Sequence, residues 1–303
     1  MSKVMESQEP GTRTGKAFSG HWKEKGMQAV FFIAACTSIL AVALICIFLF
    51  ANGLPAIAEI GPLDFLLGKT WRPANDLYGI FPFILGSIYV TAGAIVIGVP
   101  IGILTSIFMA EYCPAKIYRP LKAATELLAG IPSVVYGFFG MLVLVPFIRE
   151  TTGSKGNVML TACILLGIMI LPTIIGTTES ALRSVTRTYY EGALALGATK
   201  ERTIFTVMLP AAKSGVLTGV VLGIGRAIGE TMAVIMIAGN QTAMPTSLLK
   251  GVRTLTANIV LEMGYATGLH REALIATAVV LFVFILIINL SVSLLRRGQN
   301  AGD

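Results

Sequence analysis

Two ionisable residues, Arg226 and Glu230, interrupt an otherwise apolar stretch that runs over residues 219–240. A charge at the centre of a bilayer costs about 3 kcal/mol or more, so both must face a bundle interior or a wet cavity. On a continuous helix, residues four apart sit roughly 40° from one another, on one face. Gly219, Gly223 and Gly229 fall close to that face and leave either room for a pathway or a seam for close helix packing. Two chemistries fit. Arg226 can offer a forked, permanently charged donor to a tetrahedral oxyanion. Glu230 would then neutralise Arg226 between events, or accept a proton from an anion that carries one. Alternatively the two form an intrahelical ion pair that offsets its own burial and fixes the rotation of the helix.

A second pattern is a helix break inside an apolar run. Gly130 and Pro132 interrupt the helix, and Pro132 with Ser133 suits the first turn of a new one. Such a break is tolerated where it lines a cavity, and its amino-terminal dipole favours an anion; a proline kink needed for packing is the plainer reading. Other chemistries lack their parts. There is no P-loop, so the chain does not hydrolyse ATP by itself. No second carboxylate accompanies Glu230 at membrane depth and no histidine lies there, which argues against an intramembrane enzyme and leaves no catalytic residue to assign. His21 and His270 sit in polar flanks and read as solvated loop residues. Cys36, Cys46, Cys163 and Cys113 show no metal-ligand spacing, so no metal site is expected.

The elements that must hold these residues follow from composition. The 303 residues are 55% hydrophobic and 13% charged, against about 25% charged in soluble domains; the mean hydropathy is +0.79. The apolar residues come in long blocks, and about 20 of them span a bilayer as a helix. Six blocks qualify, at residues 29–50, 83–109, 125–148, 158–178, 214–238 and 273–295. The expectation is an all-α polytopic membrane protein, with a tail at 1–28, a six-helix transmembrane domain at 29–295 and a second tail at 296–303. Of the 23 Lys and Arg, fifteen fall in both tails and the second and fourth connections, and seven in the others. By the positive-inside rule both termini are cytoplasmic. The net charge of +7 is accounted for by this partition, and too little soluble surface remains for nucleic acid.

The fourth connection, which includes a loop at 189–213, is unusual. Residues 191–196 favour a short helix, Gly197 can adopt the left-handed conformation that ends one, helical character resumes over 198–209, and Pro210 closes the segment. Two short helices joined at a glycine form a knob, with Leu194, Leu196, Ile204 and Phe205 available for burial. This loop resembles the coupling motif of ABC importer permeases: EAA, three residues, G, nine residues, then I-x-L-P. Glu191, Ala193, Gly197, Leu209 and Pro210 match at the same spacing, with Gly192 in place of alanine and Val207 in place of isoleucine.

Three further segments resemble the PstC-type permeases of phosphate importers. GRAIGETMA at 225–233 is similar to their GRA-x-GETMA segment, WRPANDLYG at 71–79 to W-x-P-x-ND-x-YG, and ELLAGIPSVVYG at 126–137 to E-L-L-A-x-IPS-VVYG. The resemblance implies a type I ABC importer permease fold in a bacterial inner membrane. It implies Arg226, Glu230, Gly223, Gly229 and Thr231 on the substrate pathway, with Gly130, Pro132 and Ser133 lining it at the helix break. It implies that Glu191, Gly192, Ala193, Gly197, Leu209 and Pro210 dock an ATPase, and that Trp71, Asn75 and Asp76 face a substrate-binding protein. The implied partners are a PstA-like second permease, a PstB-like ATPase dimer carrying ATP and Mg, and a PstS-like phosphate-binding protein, with no cofactor on this chain. Permeases for sulfate or molybdate share the coupling loop, and the sister phosphate permease shares part of the 225–233 segment. A stand-alone proton-driven transporter with Glu230 as its titrating group is disfavoured by the single six-span unit and the lack of a repeat.

Overall fold

The computed structural model describes the backbone of residues 18–300 and the side chains of residues 25–291. The expected tail charges Lys3, Arg13, Lys16, Lys23, Arg296 and Arg297 lie outside those described. The chain divides into two units at Phe50 and Ala51. In the first, no side chain from Lys25 to Phe50 is buried. It belongs to helix α1 (Phe18–Ile60), which starts well before the first apolar block.

The second unit continues through α2 (Pro62–Leu67) and a two-stranded hairpin, β1 (Trp71–Arg72) and β2 (Leu77–Tyr78), with Trp71 opposite Tyr78. Its turn places Asp76 in the left-handed region at φ 53°, a conformation that Asp tolerates better than most residues. Helix α3 (Phe81–Ile107) runs into a wide π turn, Phe108–Tyr112, followed by α4 (Ala115–Gly130). Next come α5 (Ser133–Phe139), a π turn at Gly140–Leu144, and α6 (Val145–Thr152). Helix α7 (Met159–Ser184) leads to α8 (Arg187–Ala195), α9 (Lys200–Thr203), a π turn at Ile204–Met208 and α10 (Leu209–Ala211). The chain ends through α11 (Lys213–Gly229), α12 (Met232–Ile237), α13 (Leu255–Met263) and α14 (Gly268–Asn300).

Among the described residues five helices are long and apolar enough to cross a membrane, and the pair Lys200–Ala211 and Lys213–Gly229, bent by 72°, makes a sixth when counted as one span. The fold is all-α apart from the small hairpin. Helix α7 lies at the centre, flanked by glycine seams that let backbones approach. A Cβ on Gly93 or Gly102 of α3 would lie 2.4 Å from Cys163 Sγ or 2.8 Å from Ile174 Cγ2, both on α7.

Among the boundaries that differ from the hydropathy reading, three have a local cause. The third span begins at Ser133, not 125, because Ile131 before Pro132 is held extended and the helix cannot continue through it. The fifth span ends at Gly229, not 238. Pro210 does not close its segment: the helix carries on to Ala211 and bends at Ala212. The π turn just ahead of Pro210 relaxes the register in which a proline's missing N–H would be felt.

Candidate functional site

Helix α11 stops one residue before Glu230, whose backbone is extended at φ −69° and ψ 130°. The Glu230 carboxylate causes this locally. Its Oε1 accepts from the Thr231 N–H at 3.1 Å and the Ala233 N–H at 3.2 Å, so it caps α12 in competition with further helix. Thr231 Oγ1 donates back to the Gly229 carbonyl at 3.2 Å, and Thr256, at the start of α13, donates to the Glu230 carbonyl at 3.1 Å. The one-face pair expected from a continuous helix therefore does not form. The Arg226 side chain makes no hydrogen bond or ion pair among the described residues.

The glycines expected beside the pair separate. Gly223 is buried in the α7 seam, where a Cβ would meet Ile174 Cγ1 at 3.1 Å, so it is a packing position and not a pathway wall. Gly229 is exposed with open space around it. The break at Gly130–Ser133 lies nearby. Gly137 of α5 meets Ala233 and Met236, and Gly140 meets Ile237, so α5 and α12 advance side by side in the same direction from their two breaks. Tyr136 donates across its own break to the Leu128 carbonyl at 2.8 Å and feels the charge of Arg226. The Ser133 side chain makes no hydrogen bond among the described residues. Next to the break, a 400 Å³ hollow is lined only by apolar surface, including Leu128, Ile131 and Phe139.

The loop between α7 and α11 is a helix–glycine–helix knob. Gly197 takes φ 85° and ends α8, and Thr199 caps α9 by accepting from Arg202 N–H at 3.3 Å. Glu191, Gly192, Gly197 and Pro210 are exposed, Ala193 and Leu209 half-buried. Leu196 is 91% exposed and Phe205 48%, while Ile204 is fully buried beneath them. The knob is tied to the π turn after α3: Arg187 pairs with Glu111 at 3.1 Å, and Lys200 donates to the Glu111 carbonyl at 2.8 Å.

Residues 98–300 match the family model described as "Binding-protein-dependent transport system inner membrane component". The chain belongs to that family. A probable ABC transporter permease protein, YqgH of Bacillus subtilis, is 41% identical over 270 residues, covering 85% of this chain and 87% of that one. The phosphate transport system permease protein PstC of Mesorhizobium japonicum is 36% identical over 265 residues, covering 80% and 81%. Among solved structures, a chain of a bacterial alginate ABC transporter, crystallised with an alginate-bound periplasmic protein, superposes with a TM-score of 0.64 at 13% identity, over 89% of this chain and 95% of that one. That likeness establishes the permease fold.

In this permease the hairpin is organised differently from the docking surface expected of it. Trp71 is 4% exposed, so it is a strut and not a docking residue; Asn75 and Asp76 are exposed at the tip, as are Ala74 and Leu77 beside them. The Trp71 indole donates to Glu262 Oε2 at 2.9 Å. Arg253 pairs with Glu262 Oε1, and His270 Nε2 lies 2.9 Å from Oε2. Burial alone would raise the Glu262 carboxyl, but these three donors and the Arg253 charge outweigh it and hold its pKa below the ordinary value. His270 is thus a cluster member and not a solvated loop histidine. Glu179, 2% exposed on α7, also escaped notice because it borders an apolar block; Tyr118, Lys122 and Arg183 all bond it. A carboxylate next to a span together with basic residues in the facing connection was the available signal for it.

Proposed function

We propose that this permease is the PstC-type subunit of an ATP-driven phosphate importer, forming half of the translocation pathway. The carrying observation is Arg226, a permanent cation at a helix end beside two span breaks, whose side chain has no hydrogen-bond or ion-pair partner among the described residues. Its guanidinium fork suits two oxygens of a tetrahedral oxyanion. Glu230 keeps one carboxylate oxygen occupied as a helix cap, and the other is open to the proton of a protonated phosphate oxygen. Fully ionised sulfate has no such proton and would be repelled at that oxygen. The similarity to curated PstC proteins supports phosphate over other oxyanions. The exposed knob of α8–α10 would dock the ATPase dimer, which carries ATP and Mg; a PstA-like permease would complete the pathway, and a PstS-like protein would deliver phosphate near Asn75 and Asp76. The Lys and Arg distribution supports a cytoplasmic knob and cytoplasmic termini.

Reconstitution of the four-component complex with wild type and Arg226→Ala tests this. Uptake of labelled phosphate should vanish while assembly and basal ATP hydrolysis persist. Loss of assembly would make Arg226 structural, and wild-type uptake without any ATPase would defeat the reading altogether.

A further inference from the structure

Helix α4 connects two sites that lie far apart in the chain. At its start, Tyr118 donates to Glu179 Oε1 at 2.6 Å and Lys122 to Oε2 at 2.9 Å. At its end, the Leu128 carbonyl accepts from Tyr136 across the break that opens α5, the helix packed on α12. Glu179 itself lies on α7, eight residues ahead of Arg187, where the knob begins. Arg183 closes the circuit: its Nε donates to Glu179 Oε1 at 2.9 Å, a second nitrogen donates to the Met109 carbonyl at 2.9 Å, and its guanidinium lies 4.5 Å from the centre of the Tyr118 ring. Met109 sits in the π turn that Arg187 and Lys200 of the knob also grip through Glu111.

We infer that Glu179 is a positioning residue for energy coupling, joining the knob to α4 so that a knob displacement moves the break beside Arg226. The inference rests on the transport reading above. Stability does not explain the arrangement, because a buried ion cluster returns little net stability once desolvation is counted. Position does: every donor to Glu179 comes either from α4 or from Arg183, one turn along α7 toward the knob, and none from the opposite end of the bundle. Lys122 is 32% exposed and Arg183 46%, so the α4 arm can be cut without leaving Glu179 unpaired.

The test uses the assembled importer with Tyr118→Phe/Lys122→Met, and Arg119→Met as a control that removes one exposed charge from the same helix. Phosphate moved per ATP hydrolysed should fall about fivefold or more in the double variant, the range of ordinary allosteric couplings, with assembly and basal hydrolysis kept. Arg119→Met should match wild type. An unchanged ratio overturns the inference, and so does an equal loss in both variants. If the double variant fails to assemble, Lys122→Met alone is decisive by the same ratio. A second readout is independent of substrate: spin labels at Thr188→Cys and Leu127→Cys, with the four native cysteines replaced, should shift their separation on ATP binding in wild type but not in the double variant. Absence of any wild-type phosphate movement would defeat the transport reading, while that distance would still decide the role of Glu179.

Discussion

Glu262 is ionised although nearly enclosed, because three donors converge on two oxygens. Trp71→Phe removes one donor and leaves the carboxylate short of a bond, a loss of about 1–3 kcal/mol that thermal unfolding of the purified permease would register as a lower midpoint. The pH dependence has a definite sign. The folded pKa lies below the unfolded one, so the cluster stabilises at neutral pH and that contribution is lost as pH falls through the folded value, beneath the ordinary carboxylate range. Glu262→Gln should show a flatter acid limb than wild type in the same melts. Glu230 behaves differently, because its role is divided between a cap and an open oxygen. Glu230→Gln retains an acceptor for Thr231 and Ala233 but exchanges a carboxylate for a neutral amide. Competition uptake should then show phosphate losing its preference over sulfate by about tenfold, the worth of one charge-assisted hydrogen bond.

The helices divide the glycines into those that seal and those that leave space. Gly223→Val would force branched carbons against Ile174, an overpacking cost of about 1–3 kcal/mol, visible as a lower melting midpoint, whereas Gly229→Ala has open space and should melt like wild type. In the knob, Gly192 meets nothing within 4 Å and Gly197 sits at φ 85°. Gly192→Ala should therefore stabilise α8 by up to about 1 kcal/mol, and Gly197→Ala should destabilise the knob by about 1–2 kcal/mol; hydrogen exchange across α8 reads both. What the sequence disclosed at this scale follows from local causes. The knob and its glycine were legible because a left-handed residue between helical stretches is a neighbour effect, and the third-span break because proline acts on the residue before it. The fifth-span break was not: GRAIGE reads as helix until Glu230 turns its side chain back onto its own backbone. Trp71 was misread for the opposite reason, since its partner lies 191 residues away and no local pattern announces it.

At the scale of the whole molecule, run length alone sufficed to count the spans, and the Lys and Arg partition predicts which way they face. That orientation has a direct handle in the four free cysteines. Cys163 is buried in the core and its thiol leans on Tyr89; Cys36 and Cys46 lie in α1, within an apolar stretch that lipid would cover. Cys113 sits in the short connection between α3 and α4, half-exposed, at the same end as the knob. A membrane-impermeant maleimide should leave the chain unlabelled in intact cells and label it at Cys113 in inverted vesicles, with Cys113→Ser abolishing the signal. The reverse pattern would place the knob outside, beyond reach of any ATPase. Leu196 and Phe205 would then be exposed to the exterior with no cytoplasmic partner to cover them, and the coupling role of α8–α10 would fall with the orientation.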